Sequence, residues 1–106
     1  RLSKLVGGDT VYVRGYQAWE YKKDSKIQKL MVDTYQEMYG EKPNIMVLHA
    51  GLECVFFTQK ISNLECISMG ADIFDIHTTN EHVSISSIKR VWKYLLRVLE
   101  QMSRFD

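Results

Sequence analysis

Two short clusters carry the side chains of this sequence that could do chemistry. The first is Lys42-Pro43-Asn44-Ile45-Met46-Val47-Leu48-His49-Ala50-Gly51-Leu52-Glu53-Cys54, which sets a His, a Gly turn and a Glu behind an apolar run. The second is Asp75-Ile76-His77-Thr78-Thr79-Asn80-Glu81, again just after an apolar stretch. Two such clusters suggest two strand ends facing one site. Neutral imidazole is a good zinc ligand, and a loop at a strand end would hold it rigidly, so His77 is a candidate metal ligand. A hydrogen-bonded surface histidine is the competing reading, and the residue alone leaves both open. Asp72 or Asp75 would orient the ring from behind, or would be ordinary solvated loop carboxylates.

Other arrangements carry less. His49 and Glu53 stand at i and i+4, a zinc-binding spacing on a helix face, but Ala50-Gly51 lies between them and assures no such face. His82 falls near the start of the last helix and is expected to be exposed. Cys54 with His49 mimics a nucleophile–base pair that nothing orients, so cysteine hydrolysis is set aside. The sequence holds neither a phosphate-binding glycine loop nor a Gly-x-Ser-x-Gly elbow.

The elements that must position these groups follow from spacing. Leu2, Leu5 and Val6 read as the last turn of a helix that Gly7-Gly8 stops, because Gly accepts the left-handed backbone at a helix end. Thr10 to Arg14 is β-branched and aromatic and reads as a strand. Gly15 to Lys23 is a connector whose Tyr16, Trp19 and Tyr21 pin it to a packed surface. Ser25-Lys26-Ile27-Gln28 has the form of a capping box, with Gln28 reaching back to the cap. Ile27, Leu30, Met31, Thr34, Tyr35 and Met38 then recur at helical spacing. Gly40 ends that helix, and Pro43 prevents its resumption. Residues 44–49 read as a short buried strand, residues 51–58 as a short helix or turn, and Leu64 to Met69 as another strand ended by Gly70. Ser84 caps a last helix whose apolar face is Ile85, Ile88, Val91, Trp92, Leu95, Leu96, Leu99 and Met102. Alternating strands and helices predict an α/β layer structure.

Composition bounds the partners. The chain has 106 residues, room for one small domain, and is 45% hydrophobic and 25% charged, an ordinary globular balance. Fourteen basic against thirteen acidic residues leave a net charge of +1, which argues against nucleic-acid binding. No apolar stretch approaches the ~20 residues of a membrane span. The two cysteines, Cys54 and Cys66, are too few for a disulfide scaffold and fit two buried thiols in a reducing compartment. No signal peptide is evident, so a cytoplasmic protein is expected. The chain starts at Arg1 rather than Met, which suggests a cut-down or proteolytic piece.

With those residues in view, the chain resembles a known family. The 42–54 block resembles the His-Ala-Gly-Leu-Glu-Cys-Gly motif of aminoacyl-histidine dipeptidases, Xaa-His dipeptidases of the zinc exopeptidase superfamily. Ile67-Ser68-Met69-Gly70 is similar to the family's Ile-Ser-x-Gly-Pro strand end. His77-Thr78-Thr79-Asn80-Glu81 is similar to its His-(Ser/Thr)-Pro-Asp-Glu, and Tyr16-Gln17-Ala18-Trp19 to its Tyr-Pro-Gly-Trp. The match runs in order over essentially the whole chain.

The resemblance implies a three-layer-type α/β zinc exopeptidase fold, of which this chain is the C-terminal portion, with about three strands and two to three helices. It implies a boundary too: residues 1–16 as the end of a lid domain, residues 17–106 as the last segment of the catalytic domain. It assigns His77 as a zinc ligand and Gly51, Glu53 and Cys54 to the substrate pocket. The family's two zincs activate a bridging water for dipeptide hydrolysis, but their other ligands and the general base lie upstream of this segment. The isolated chain is therefore expected to be inactive and to need the missing N-terminal half of the catalytic domain as its partner. A homodimer through an exposed sheet edge is a further expectation. Three departures bear on the pocket: Val55 stands where the family has Gly, Ala71 where it has Pro, and Thr79 where it has Pro. They leave open a second reading, a non-catalytic α/β module that kept the fold and lost the chemistry.

Overall fold

Apolar residues at helical spacing and two well-formed caps decide where this chain folds most firmly. The computed structural model describes residues 2–11, 15, 18–47 and 52–103. Its elements are α1 (Leu2–Leu5), α2 (Lys26–Tyr39), α3 (Cys54–Lys60), β1 (Ile73–Phe74), β2 (His82–Val83) and α4 (Ile85–Met102). Helices and an antiparallel strand pair make it an α/β chain.

Helices α2 and α4 pack against each other. Met31 of α2 meets Tyr94 and Val98 of α4 at the buried centre, and Ile27, Leu30, Tyr35, Met38 and Ile67 close around them. These are the positions that the helical spacing predicts for α2. The Tyr94 hydroxyl donates to the Met31 carbonyl at 2.7 Å, so its one polar atom is satisfied inside the contact. Burial, with Tyr35 and Tyr39 nearby, pushes the Tyr94 phenol up to about 12. The Tyr35 ring meets Tyr94 edge-on at 5.5 Å.

Capping differs from the expectation in one respect. Ser25 does cap α2, its Oγ accepting from the Gln28 N–H at 3.2 Å. The return arm of the predicted box is absent, because the Gln28 side chain donates to the Tyr21 hydroxyl instead. Glu65 fills the role from far along the chain. One carboxylate oxygen accepts from Ser25 Oγ at 3.0 Å and from the Ile27 N–H at 3.1 Å. The Ile27 N–H is the main reason that the Glu65 carboxyl sits below its ordinary value, followed by the Ser25 hydroxyl. At the other end Gly40 takes a left-handed φ of 77° and returns its N–H to the Gln36 carbonyl.

The strands depart further. Only β1 and β2 pair among the described residues, antiparallel, with Ile73 opposite Val83 and Phe74 opposite His82. Residues 44–47 of the predicted buried strand form none and lie exposed, Val47 at 71%; residues 48 and 49 fall outside the described residues. Residues 64–69 likewise form no strand, although Ile67 packs on the core and Glu65 caps α2. Residues 10 and 11 of the first predicted strand are unpaired, and 12–14 fall outside the description. The physical reason is common to all three. An apolar run becomes a strand only when a neighbour takes up its backbone N–H and C=O groups, and among the described residues no neighbouring strand does so. The shape agrees: the radius of gyration is 18.7 Å, against about 13 Å for a compact domain of this length. Among the described residues no helix is long and apolar enough to cross a membrane.

Candidate functional site

His77 sits in the connection between β1 and β2, and backbone geometry marks this turn. Asp75 has φ 52° and His77 φ 65°, both in the left-handed region that side chains with a Cβ rarely adopt. A net of hydrogen bonds holds them there. The Thr78 N–H donates to the Asp75 carbonyl at 3.1 Å, and its hydroxyl donates to the same oxygen at 2.7 Å. The Asn80 N–H donates back to that hydroxyl at 3.2 Å. The His77 N–H donates to the Glu81 carboxylate at 2.8 Å. The result is a tight, solvent-facing projection with an exposed imidazole at His77.

The start of α4 anchors this projection. Asp72 precedes β1, and its N–H donates to Ser87 Oγ at 2.9 Å while its carbonyl accepts from the Ser84 N–H at 3.0 Å. Its carboxylate pairs with Arg90 at 3.0 Å. Ser87 is buried and gives its own hydroxyl proton to the Ser84 carbonyl at 2.7 Å. The hairpin is thus bolted to the first turn of a long helix.

Neither aspartate expected behind His77 pairs with it: Asp72 is engaged by Arg90, and Asp75 lies 3.8 Å from the Nδ1 of His82. His82 is exposed as expected, but it is more closely involved than the sequence reading supposed. Its ring stacks on Phe74 with centroids 5.1 Å apart, and its Nδ1 lies 2.7 Å from the Asn80 carbonyl. The period-2 pairing of β1 with β2 is the signal that could have brought these two rings together.

The other expected site residues lie at the start of α3. Glu53 immediately precedes the helix, is exposed, and makes no capping hydrogen bond with its side chain. Cys54 opens the helix and is half-buried beside the Cys66 thiol; burial and this neighbour push the Cys66 thiol up. Gly51 and His49 fall outside the described residues. Among the described residues no hydrogen bond or ion pair joins Glu53 or Cys54 to the His77 turn. Val55, the departure from the family glycine, lies within α3 and is buried, 3% exposed. A helical position needs no left-handed backbone, so Val fits there and the glycine's freedom is not required.

A metal site needs three or four converging donors. Among the described residues no three His, Cys, Asp or Glu side chains come together as such a group. The donors among the described residues therefore do not by themselves fit a zinc pair; His77 offers a single imidazole. What the turn can do is present one ring, on a fixed backbone, to groups brought from elsewhere.

The family model for peptidase family M20/M25/M40 matches residues 9–101. The cytosol non-specific dipeptidase of Escherichia coli (strain K12) is 33% identical over 101 residues, which is 95% of this chain and 21% of that protein. The chain thus spans about a fifth of the length of this curated relative. No solved structure gives a significant match. With a family match over nearly its whole length and one residue in three shared with a curated dipeptidase, the chain belongs to the peptidase family M20/M25/M40.

Proposed function

We propose that this chain is the C-terminal segment of a zinc-dependent dipeptidase that hydrolyses Xaa-His dipeptides in the cytoplasm. Residues 1–16 end its lid domain and residues 17–106 complete its catalytic domain. His77 donates one ligand to the zinc pair, and Gly51, Glu53 and Cys54 line the dipeptide pocket. The remaining ligands come from the N-terminal half of the catalytic domain. The observation that carries this reading is the left-handed, solvent-facing His77 at a cross-braced turn inside the family match. Backbone held in a sparsely populated conformation clusters at functional sites. The apolar run at Ile45, Met46 and Val47, exposed here, supports a neighbouring part of the catalytic domain covering it.

The relative's name favours a second reading on one point: it is a non-specific dipeptidase, so a preference for His at the second position is the finer claim. Hydrolysis of a panel of dipeptides by the full-length protein separates the two. Faster turnover of Xaa-His than of matched dipeptides supports the preference, and equal rates reduce the claim to a dipeptidase. His77→Ala is expected to lower hydrolysis at least ~100-fold, in line with loss of a group that acts in the site. Full activity in that variant would sink the assignment. The 106-residue chain alone is expected to be inactive, and turnover by it would mean that the catalytic groups are misplaced.

A further inference from the structure

The turn that carries His77 is held by one bond that differs from the rest. The Thr78 and Asn80 bonds join groups within the turn and are neutral. The His77 N–H is met instead by a charged side chain, Glu81, at 2.8 Å, and a bond to an ionised acceptor is the stronger kind. Glu81 directly precedes β2, whose first residue, His82, pairs with Phe74 across the hairpin. Its backbone is fixed as well, by its own N–H donating to the Thr78 carbonyl at 3.3 Å. The carboxylate thus reaches from the anchored end of the turn to the left-handed His77. Among the described residues Glu81 has no ion-pair partner, so no surface cation competes for it.

We propose that Glu81 is a positioning residue: its carboxylate holds the left-handed backbone of His77 and so fixes the direction in which the imidazole leaves the hairpin. It neither touches the substrate nor ligates a metal. The proposal rests on the reading above for the importance of that direction, but the latch itself does not. Without the acceptor, the left-handed conformation loses its one charged restraint, and His77 relaxes toward the commoner right-handed or extended backbone. Removing such a supporting partner of a functional side chain costs 10–100-fold in affinity or activity as a rule.

Three variants test this: Glu81→Ala, Glu81→Gln and His77→Ala. In the 106-residue chain, amide hydrogen exchange at His77 is followed by NMR. Glu81→Ala is expected to speed it about tenfold or more, with the α2 and α4 amides unchanged, whereas Glu81→Gln keeps a neutral acceptor and only part of the protection. In the full-length protein, Glu81→Ala is expected to lower kcat for a dipeptide 10–100-fold with little change in KM, and Glu81→Gln to lower it less. Exchange at His77 that does not respond to Glu81→Ala overturns the latch, whatever the activity. A faster exchange with kcat intact, in a protein that His77→Ala inactivates, overturns the positioning role. If exchange responds but His77→Ala leaves hydrolysis intact, the latch stands and the preceding assignment of His77 fails instead.

Discussion

The α2–α4 pair and the β1–β2 hairpin spend their hydrogen bonds differently. In the helical pair, bonds serve burial: Tyr94 donates to Met31 inside the contact, and Ser25 and Glu65 satisfy the free N–H groups at the start of α2. Their backbones are ordinary helix. In the hairpin, bonds hold up an exposed, left-handed turn that buries no side chain. The pair buries its side chains and the hairpin leaves its own exposed. The hairpin's stability is borrowed through Asp72, which ties it to Ser84, Ser87 and Arg90 of the α4 start.

This contrast can be broken by substitution. The largest effect is expected at Val98, 3% exposed at the centre of the pair. Val98→Ala removes two methyls from a core with few other buried side chains and should cost about 2 kcal/mol in denaturant unfolding. A loss no larger than that of a surface change would mean that α2 and α4 are not the stabilising unit. Acid supplies an intermediate effect. The folded Glu65 carboxyl lies below its ordinary 4.5, so it contributes stability above pH 4.5 that fades as pH falls through the folded value. Helicity by circular dichroism should therefore fall in that acid window, and Glu65→Gln should remove this part of the pH dependence. An unchanged acid profile would sink the cap. The smallest effect is expected at Val47, 71% exposed, where Val47→Ser should shift stability by less than about 0.5 kcal/mol. A large loss there would put the uncovered run inside the stabilising unit and blur the comparison.

The helix starts and the α2 face were legible in the sequence, but the α4 face was not: Tyr94 and Val98 pack on α2, while Ile85, Trp92 and Leu99 of the expected apolar face lie exposed. Ser25 and Ser84 announce the helix starts, Gly40 ends α2, and the apolar spacing of Ile27 to Met38 names the face that packs. These signals are local, and helices satisfy their own backbone. The expected strands do not form at 44–47 and 64–69 because strand formation depends on a partner that the run itself does not encode. Glu65 escaped for a related reason: a cap supplied from far along the chain leaves no short-range pattern. At the candidate site the motif points to His77, but nothing in the sequence points to its left-handed backbone. That conformation favours Gly, Asn and Asp; the sequence hints at Asp75, but only the surrounding hydrogen bonds account for His77.

The tie between Asp72 and α4 has a mechanical consequence. The histidine is mounted on a lever: α4 has 18 residues, about 27 Å of rigid rod, with the hairpin clamped to its leading end. A tilt of about 5° about the far end sweeps that clamp through roughly 2 Å, and His77 travels with it. The packing of Tyr94 and Val98 against α2, well away from the turn, thus sets the aim of the imidazole, and a change buried between two helices would be felt as a displacement at the tip.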